Sequence, residues 1–143
     1  MQRAINRLQT FEQTATSVER LRRAGVGWLN FNLIYGLPLQ TMQSCLDTVA
    51  KCIELRPDRL WVFGYAHMPS FKKHQRKIDE HALPQTVERH LQSELIAEAL
   101  VDAGYVRIGF DHFALPGDNL AAAKRQGRLR RNFRVTPTTP PKR

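Results

Sequence analysis

Asn32-Leu-Ile-Tyr-Gly-Leu-Pro-Leu-Gln-Thr41 is the stretch whose reading decides the fold. It reads as the end of a buried strand, a tight turn and the start of a helix. Phe31, Leu33 and Ile34 supply a short apolar, β-favouring run. Gly36 and Pro38 punctuate it, and the Thr41 hydroxyl can cap a helix. In parallel α/β folds, ligands sit at the carboxyl ends of strands, so Asn32 beside a Gly-Pro turn is a candidate ligand contact. The competing reading is an ordinary strand-to-helix turn with a satisfied polar residue, since short motifs of this kind often arise by chance.

Working outward, helix and strand patterns alternate. Thr10-Phe-Glu-Gln13 is a capping-box pattern. Phe11, Ala15, Val18 and Leu21 follow at helical spacing, and Gly25 can end that helix. A strand is predicted over 27–35. A second helix opens at Thr41, carries Cys45, Val49, Cys52 and Ile53 on its apolar side, and stops before Pro57. Leu60, Val62 and Tyr65 mark a second strand ending at Ala66-His67. A polar loop with a basic run follows. Pro84 suits the first turn of a third helix, with Val87, Leu91, Leu95 and Ala99 along one side and Gly104 at its end. A third strand is predicted over 105–110, and Asp118 caps a short fourth helix that stops at Gly127. Strands separated by helices of this length imply parallel βα units.

Composition narrows the setting. The chain has 143 residues, 42% of them hydrophobic, enough for one small core. No stretch approaches the roughly 18 apolar residues of a membrane span. The N-terminal residues show no apolar signal core. Two thiols without framework spacing fit a reducing, cytoplasmic compartment. The net charge is +9, from 22 Lys and Arg against 13 Asp and Glu. That balance can serve nucleic acid, an acidic membrane surface or a polyanionic small molecule, or be a solvated face. No aromatics interleave with the charges to stack bases, and no nucleic-acid-binding pattern is visible.

Several segments share a resemblance. Phe31-Asn-Leu-Ile-Tyr-Gly-Leu-Pro38 with Gln40-Thr41 resembles the I-D-L-I-Y-G-L-P-x-Q-T segment of radical S-adenosylmethionine (SAM) enzymes. Arg56-Pro-Asp-Arg-Leu60, Val62-Phe-Gly-Tyr-Ala-His-Met-Pro69, Lys73-His-Gln-Arg-Lys-Ile78, Gly109-Phe-Asp-His-Phe-Ala-Leu-Pro116 and Leu129-Arg-Arg-Asn-Phe133 follow in order. Together, over residues 1–133, they are similar to the middle region of the oxygen-independent coproporphyrinogen III oxidases. The related heme chaperones are the alternative, but Val62-Phe-Gly-Tyr-Ala-His67 matches the oxidase version. The resemblance implies about half of an open (β/α)6 TIM-like barrel. It implies an oxidoreductase of heme and porphyrin biosynthesis, a monomer with a tetrapyrrole substrate. The complete enzyme would cleave SAM reductively at a [4Fe-4S] cluster and oxidatively decarboxylate coproporphyrinogen III to protoporphyrinogen IX.

The family's cluster motif, C-x3-C-x2-C, is not in this sequence. Cys45 and Cys52 are seven apart, about 10.5 Å along a helix, too far for a disulfide and too few for a cluster. The expectation is therefore an internal fragment that is inactive alone, with no catalytic residue assigned. Three SAM contacts carry over by resemblance: Arg7 behind Asn6, Asn32 where the family has Asp, and Ala66 of the Tyr-Ala-His segment. Asn keeps an acceptor and gains a donor but loses the charge. Arg7 reads equally as a surface arginine, and Ala66 as a small residue at a strand end. Asp111 and His112 are candidates for the substrate side, or else a loop hydrogen-bond pair. The five histidines lack zinc spacing, so no metal site is expected. A basic loop at a barrel mouth would attract propionate carboxylates. The class-level alternative is a basic polyanion-binding module without chemistry. Residues 134–143 are proline-rich, polar and basic, and are expected to form a separate disordered tail. There the family continues Gln-Gly-Tyr-Thr, and the abrupt departure suggests out-of-frame sequence.

Overall fold

The computed structural model describes residues 2–5 and 7–130. The expected tail over 134–143, the end of the Leu129–Phe133 motif and Asn6 lie outside the described residues. Among the described residues there are four α-helices: α1 (Phe11–Arg23), α2 (Met42–Leu55), α3 (Thr86–Asp102) and α4 (Asn119–Arg125). Four strands accompany them: β1 (Asn30–Tyr35), β2 (Arg59–Gly64), β3 (Val106–Arg107) and β4 (His112–Ala114). Short 3-10 turns at Lys73–Lys77 and Glu80–Ala82 fill the loop between β2 and α3.

The helix starts follow from local chemistry. Thr10 and Gln13 form a reciprocal capping box on α1, and Thr41 and Ser44 form another on α2. α2 ends on Arg56 in the left-handed region, and the side chain of Arg22 in α1 donates to the Leu55 and Arg56 carbonyls at 2.7 and 2.9 Å. Pro84 stands outside α3, whose N-cap is Gln85.

Two expectations are corrected. The sheet is mixed, in the order β1-β2-β4-β3. β1 and β2 pair in parallel from Asn30↔Arg59 to Tyr35↔Gly64. The segment expected as one strand over 105–110 is strand only at Val106–Arg107. It bends at 108–111 and returns as β4, which pairs antiparallel with both β2 and β3. A two-residue strand with Gly109 beyond it cannot run on, so the chain turns back and β4 takes the place beside β2. The buried side of α3 also differs: Val87 and Leu91 are exposed, while Gln92, Ile96, Ala97 and Leu100 face inward.

The sheet's two faces are unlike. Leu33, Leu60, Val62 and Phe113 pack under α2 and α3 with Cys45, Val49, Ile96, Leu100 and Tyr105, and Phe31 and Tyr35 join this core. Strand alternation sends Asn30, Asn32, Ile34, Trp61, Phe63 and His112 to the opposite face. α4 covers only one corner of that face, where Leu120 and Ala121 meet Ile108 and Ala114. No other described helix packs on that face. Among the described residues, no helix is long and apolar enough to cross a membrane.

Candidate functional site

The Gly-Leu-Pro turn is held by buried amides rather than by its own backbone alone. Gly36 adopts φ +77, and a Cβ there would lie 2.9 Å from the Arg89 Nε, so only glycine fits. Its N–H donates to Gln92 Oε1 at 2.9 Å. Leu37 N–H donates to Gln40 Oε1 at 2.9 Å, and Gln40 Nε2 donates back to the Ile34 carbonyl at 3.2 Å. Gln92 Nε2 donates to the Gln40 carbonyl at 3.0 Å, closing the loop. Arg89 donates to the Tyr65 carbonyl at 2.6 Å and so ties the segment after β2 to α3. Gln92 and Arg89 escaped the sequence reading. The available signal was a glutamine four residues before Ile96 and eight before Leu100, on one helical stripe.

The open face carries a row running across the sheet. Asn32 lies opposite Trp61, and Trp61 opposite His112. The Trp61 and His112 rings meet edge-on with centroids 4.3 Å apart, and Phe63 meets Trp61 at 5.6 Å. Asp111 Oδ1 and His112 Nδ1 are 2.6 Å apart, so the carboxylate orients the ring. His112 Nε2 is buried and has no hydrogen-bond partner among the described residues. It borders a cavity of about 210 Å³ with Ile108, Leu129 and Arg130. A buried nitrogen without a partner is uncommon and signals a place for a polar atom from outside the chain.

The three positions carried over for SAM are placed differently. Asn32 sits mid-strand in β1, with Oδ1 accepting from Asn30 Nδ2 at 3.1 Å. Ala66 lies two residues beyond the end of β2. Its carbonyl accepts from Gln75 Nε2 at 3.0 Å. The register sets it five residues past the point opposite Asn32, a run of about 16 Å in extended chain. Arg7 is exposed ahead of α1, its N–H donating to the Gln2 carbonyl at 3.0 Å. Among the described residues, no hydrogen bond joins any two of them.

The buried side chain of Gln75 anchors the basic turn, reaching both Ala66 and the Met68 N–H. Lys72, Lys73, His74, Arg76 and Lys77 surround it on the exposed side. This places a cluster of cations just beyond the carboxyl end of β2.

The thiols do not fit an iron–sulfur cluster. Cys45 is fully buried and Cys52 half-buried, both on the core side of α2. Burial pushes the Cys45 thiol up and the Cys52 thiol up to about 11, away from the thiolate that iron needs. Among the described residues, no group of three or more His, Cys, Asp or Glu could hold a metal ion.

No protein-family model matches the chain. Its fold is nonetheless that of a stretch of a radical SAM enzyme. It superposes on coproporphyrinogen III oxidase from Escherichia coli with a TM-score of 0.91 and 42% identity, covering 96% of this chain and 32% of that one. In sequence it is 60% identical over 133 residues to the oxygen-independent coproporphyrinogen III oxidase of Bradyrhizobium diazoefficiens, covering 93% of this chain and 30% of the relative. The Pseudomonas aeruginosa oxidase is 47% identical over 133 residues, with 29% of its length covered. The chain is thus a homologue of the oxygen-independent coproporphyrinogen III oxidases and spans about 30% of the length of these curated relatives.

Proposed function

We propose that this chain forms one wall of a coproporphyrinogen III oxidase barrel, about half of an open (β/α)6 arrangement, in a cytoplasmic enzyme. In this reading Arg7, Asn32 and Ala66 contribute to the SAM side, and Asp111, His112 and the basic turn contribute to the tetrapyrrole side. The observation that carries it is the open face itself. A sheet packed by helices on one side leaves Asn32, Trp61 and His112 in line on the other, in a chain matched over 93% of its length by oxidase sequence.

The roles follow from side-chain chemistry. Asn32 offers neutral hydrogen bonds where the family has a carboxylate, which suits hydroxyls better than a cationic amine. Asp111 fixes the His112 ring and leaves the buried Nε2 without a partner among the described residues. The cations of the Lys72–Lys77 turn draw carboxylates toward the same end of β2. SAM bound at a cluster would supply the one-electron chemistry of the decarboxylation. The two buried thiols of this chain do not supply that centre, so the chain by itself is inactive.

Grafting tests the reading. Residues 1–133 replace the matching 133 residues of the Bradyrhizobium diazoefficiens oxidase, and anaerobic conversion of coproporphyrinogen III is followed. The graft is expected to be active and the 143-residue chain alone inactive. Restoring Asp at position 32 of the graft is expected to tighten SAM binding. A graft that folds and holds its cluster yet converts no substrate would refute the assignment.

A further inference from the structure

We infer that Gln75 is a positioning residue for both ligands, holding the Ala66 segment and the cationic turn together as one piece. The inference rests on the proposed roles of Ala66 on the SAM side and of the Lys72–Lys77 turn on the tetrapyrrole side. Gln75 itself touches neither ligand. β2 ends at Gly64, and the Tyr65 N–H makes a last bond to β1, at 2.8 Å to the Tyr35 carbonyl. Beyond it, the Ala66 carbonyl accepts from Gln75 Nε2 at 3.0 Å, and the Met68 N–H donates to Gln75 Oε1. A carbonyl and the N–H two residues on are the pair that one residue of a parallel neighbour would bond. A side-chain amide carries the same donor and acceptor, so Gln75 stands in for a strand where β2 has stopped.

The turn depends on the same residue. Gln75 is 7% exposed, whereas Lys72, Lys73, Arg76 and Lys77 around it are all exposed. A solvated basic run has no need of a buried amide at its centre. Four cations within six residues repel one another, so a compact turn needs an internal tie. The Gln75 backbone adds to it: its N–H donates to the Lys72 carbonyl at 2.8 Å, and its carbonyl accepts from the Ile78 N–H at 3.0 Å. The Lys72 N–H donates in turn to the Met68 carbonyl at 2.8 Å. Other side-chain ties of this loop, Arg76 to the Pro69 carbonyl and Glu80 to His67, lie exposed to water and hold less firmly. Arg89 fixes the Tyr65 carbonyl just before Ala66, so the segment is anchored to α3 on one side and to the turn on the other.

One positioned piece then serves two ligands. Loosening it divides both affinities by a single factor, set by the fraction of molecules still positioned. The ligands also become coupled, because whichever binds first restores the piece for the second. With Gln75 in place the piece is already positioned, and this coupling is small.

The test uses the oxidase graft carrying residues 1–133, reconstituted with its cluster, and Gln75→Met, which keeps the bulk and removes both side-chain bonds. Affinities for SAM and for coproporphyrinogen III are measured separately and together, with kcat alongside. Gln75→Met is expected to weaken each ligand alone by about tenfold, the same factor for both, with kcat at saturation within about twofold. Saturating SAM is expected to restore the coproporphyrinogen affinity. A merely structural loss would lower the active fraction, and so kcat, and leave the affinities of the surviving molecules unchanged. Gln75→Glu keeps the acceptor for Met68 and loses the donor to Ala66; as the milder variant it is expected to show the same restoration by SAM. Lys73→Ala is the contrast, expected to weaken coproporphyrinogen and not SAM. Unchanged affinities in both Gln75 variants overturn the inference, as does loss for one ligand only or a loss that SAM does not restore. A graft with Gln75 in place that binds neither ligand refutes the proposed function, and the inference falls with it. A working graft indifferent to the loss of Gln75 refutes the inference alone.

Discussion

Gln92 shows how a single buried amide can decide the shape of a turn five elements of chain away. It is 2% exposed and satisfies both the Gly36 N–H and the Gln40 carbonyl. Gln92→Leu keeps the volume but leaves two buried backbone groups unpaired, and should cost about 2–4 kcal/mol. Urea unfolding at low temperature measures it, and a change below about 0.5 kcal/mol would show that water replaces the amide. A second expectation concerns alkaline pH. Burial raises the Tyr105 hydroxyl to about 12 and the Cys52 thiol to about 11, from ordinary values of 10 and 9. Both are raised acids, so the unfolded chain ionises first. Their contribution is whole below pH 9, and is lost as pH rises through 11 for Cys52 and toward 12 for Tyr105. Stability should fall from about pH 9 upward, and Cys52→Ala should flatten the part between 9 and 11. At this scale the sequence was readable where a side chain acts on its neighbours, as with Thr10 on Gln13. It was not readable where Gln92 acts across 56 positions, because nothing local marks a polar residue as a buried clamp.

The elements divide along the same line. α1 and α2 were legible because capping residues and apolar spacing sit within one turn of each other. The β3–β4 hairpin was not, because its strands are two and three residues long and gain their identity only by pairing. Leu60 must first stand beside Phe113 before residues 112–114 are a strand at all. The buried stripe of α3 was misplaced for a related reason. Val87 and Leu91 are apolar, but the helix turns Gln92 inward to serve the Gly36 turn. The join between β2 and α4 gives a prediction at this scale. Asp118 is fully buried, caps α4 through Leu120 N–H at 2.7 Å, and bonds Arg59 Nε at 2.8 Å. Arg59→Ala strands that carboxylate. The cost should be about 2–4 kcal/mol, below the full range for a buried pair because Arg59 is itself partly exposed. Asp118→Asn in the same background should recover part of it, and no recovery would mean that the loss comes from packing rather than charge.

Across the described residues, one face of the sheet is packed by helices and the other is covered only at one corner. The site was legible only as scattered residues. The row Asn32–Trp61–His112 required the register of β1, β2 and β4, which no spacing in the chain encodes. An unfinished sheet should leave the isolated chain weakly stable, with a thermal midpoint below about 45 °C, the lower bound of ordinary mesophile domains. Near-UV circular dichroism measures it, and a sharp transition above about 50 °C would mean that the open edge costs little. The Arg22 side chain on the end of α2 has a further consequence. Two hydrogen bonds and one buried valine are slight anchorage for thirteen residues, so α1 should detach while the rest stays folded. Arg20, Arg22 and Arg23 then become cleavage sites for trypsin, and brief digestion should trim the chain to fragments beginning at Leu21, Arg23 or Ala24. In the cell, such a helix would give proteases their first foothold, so that copies whose α1 opens most often are cleared first.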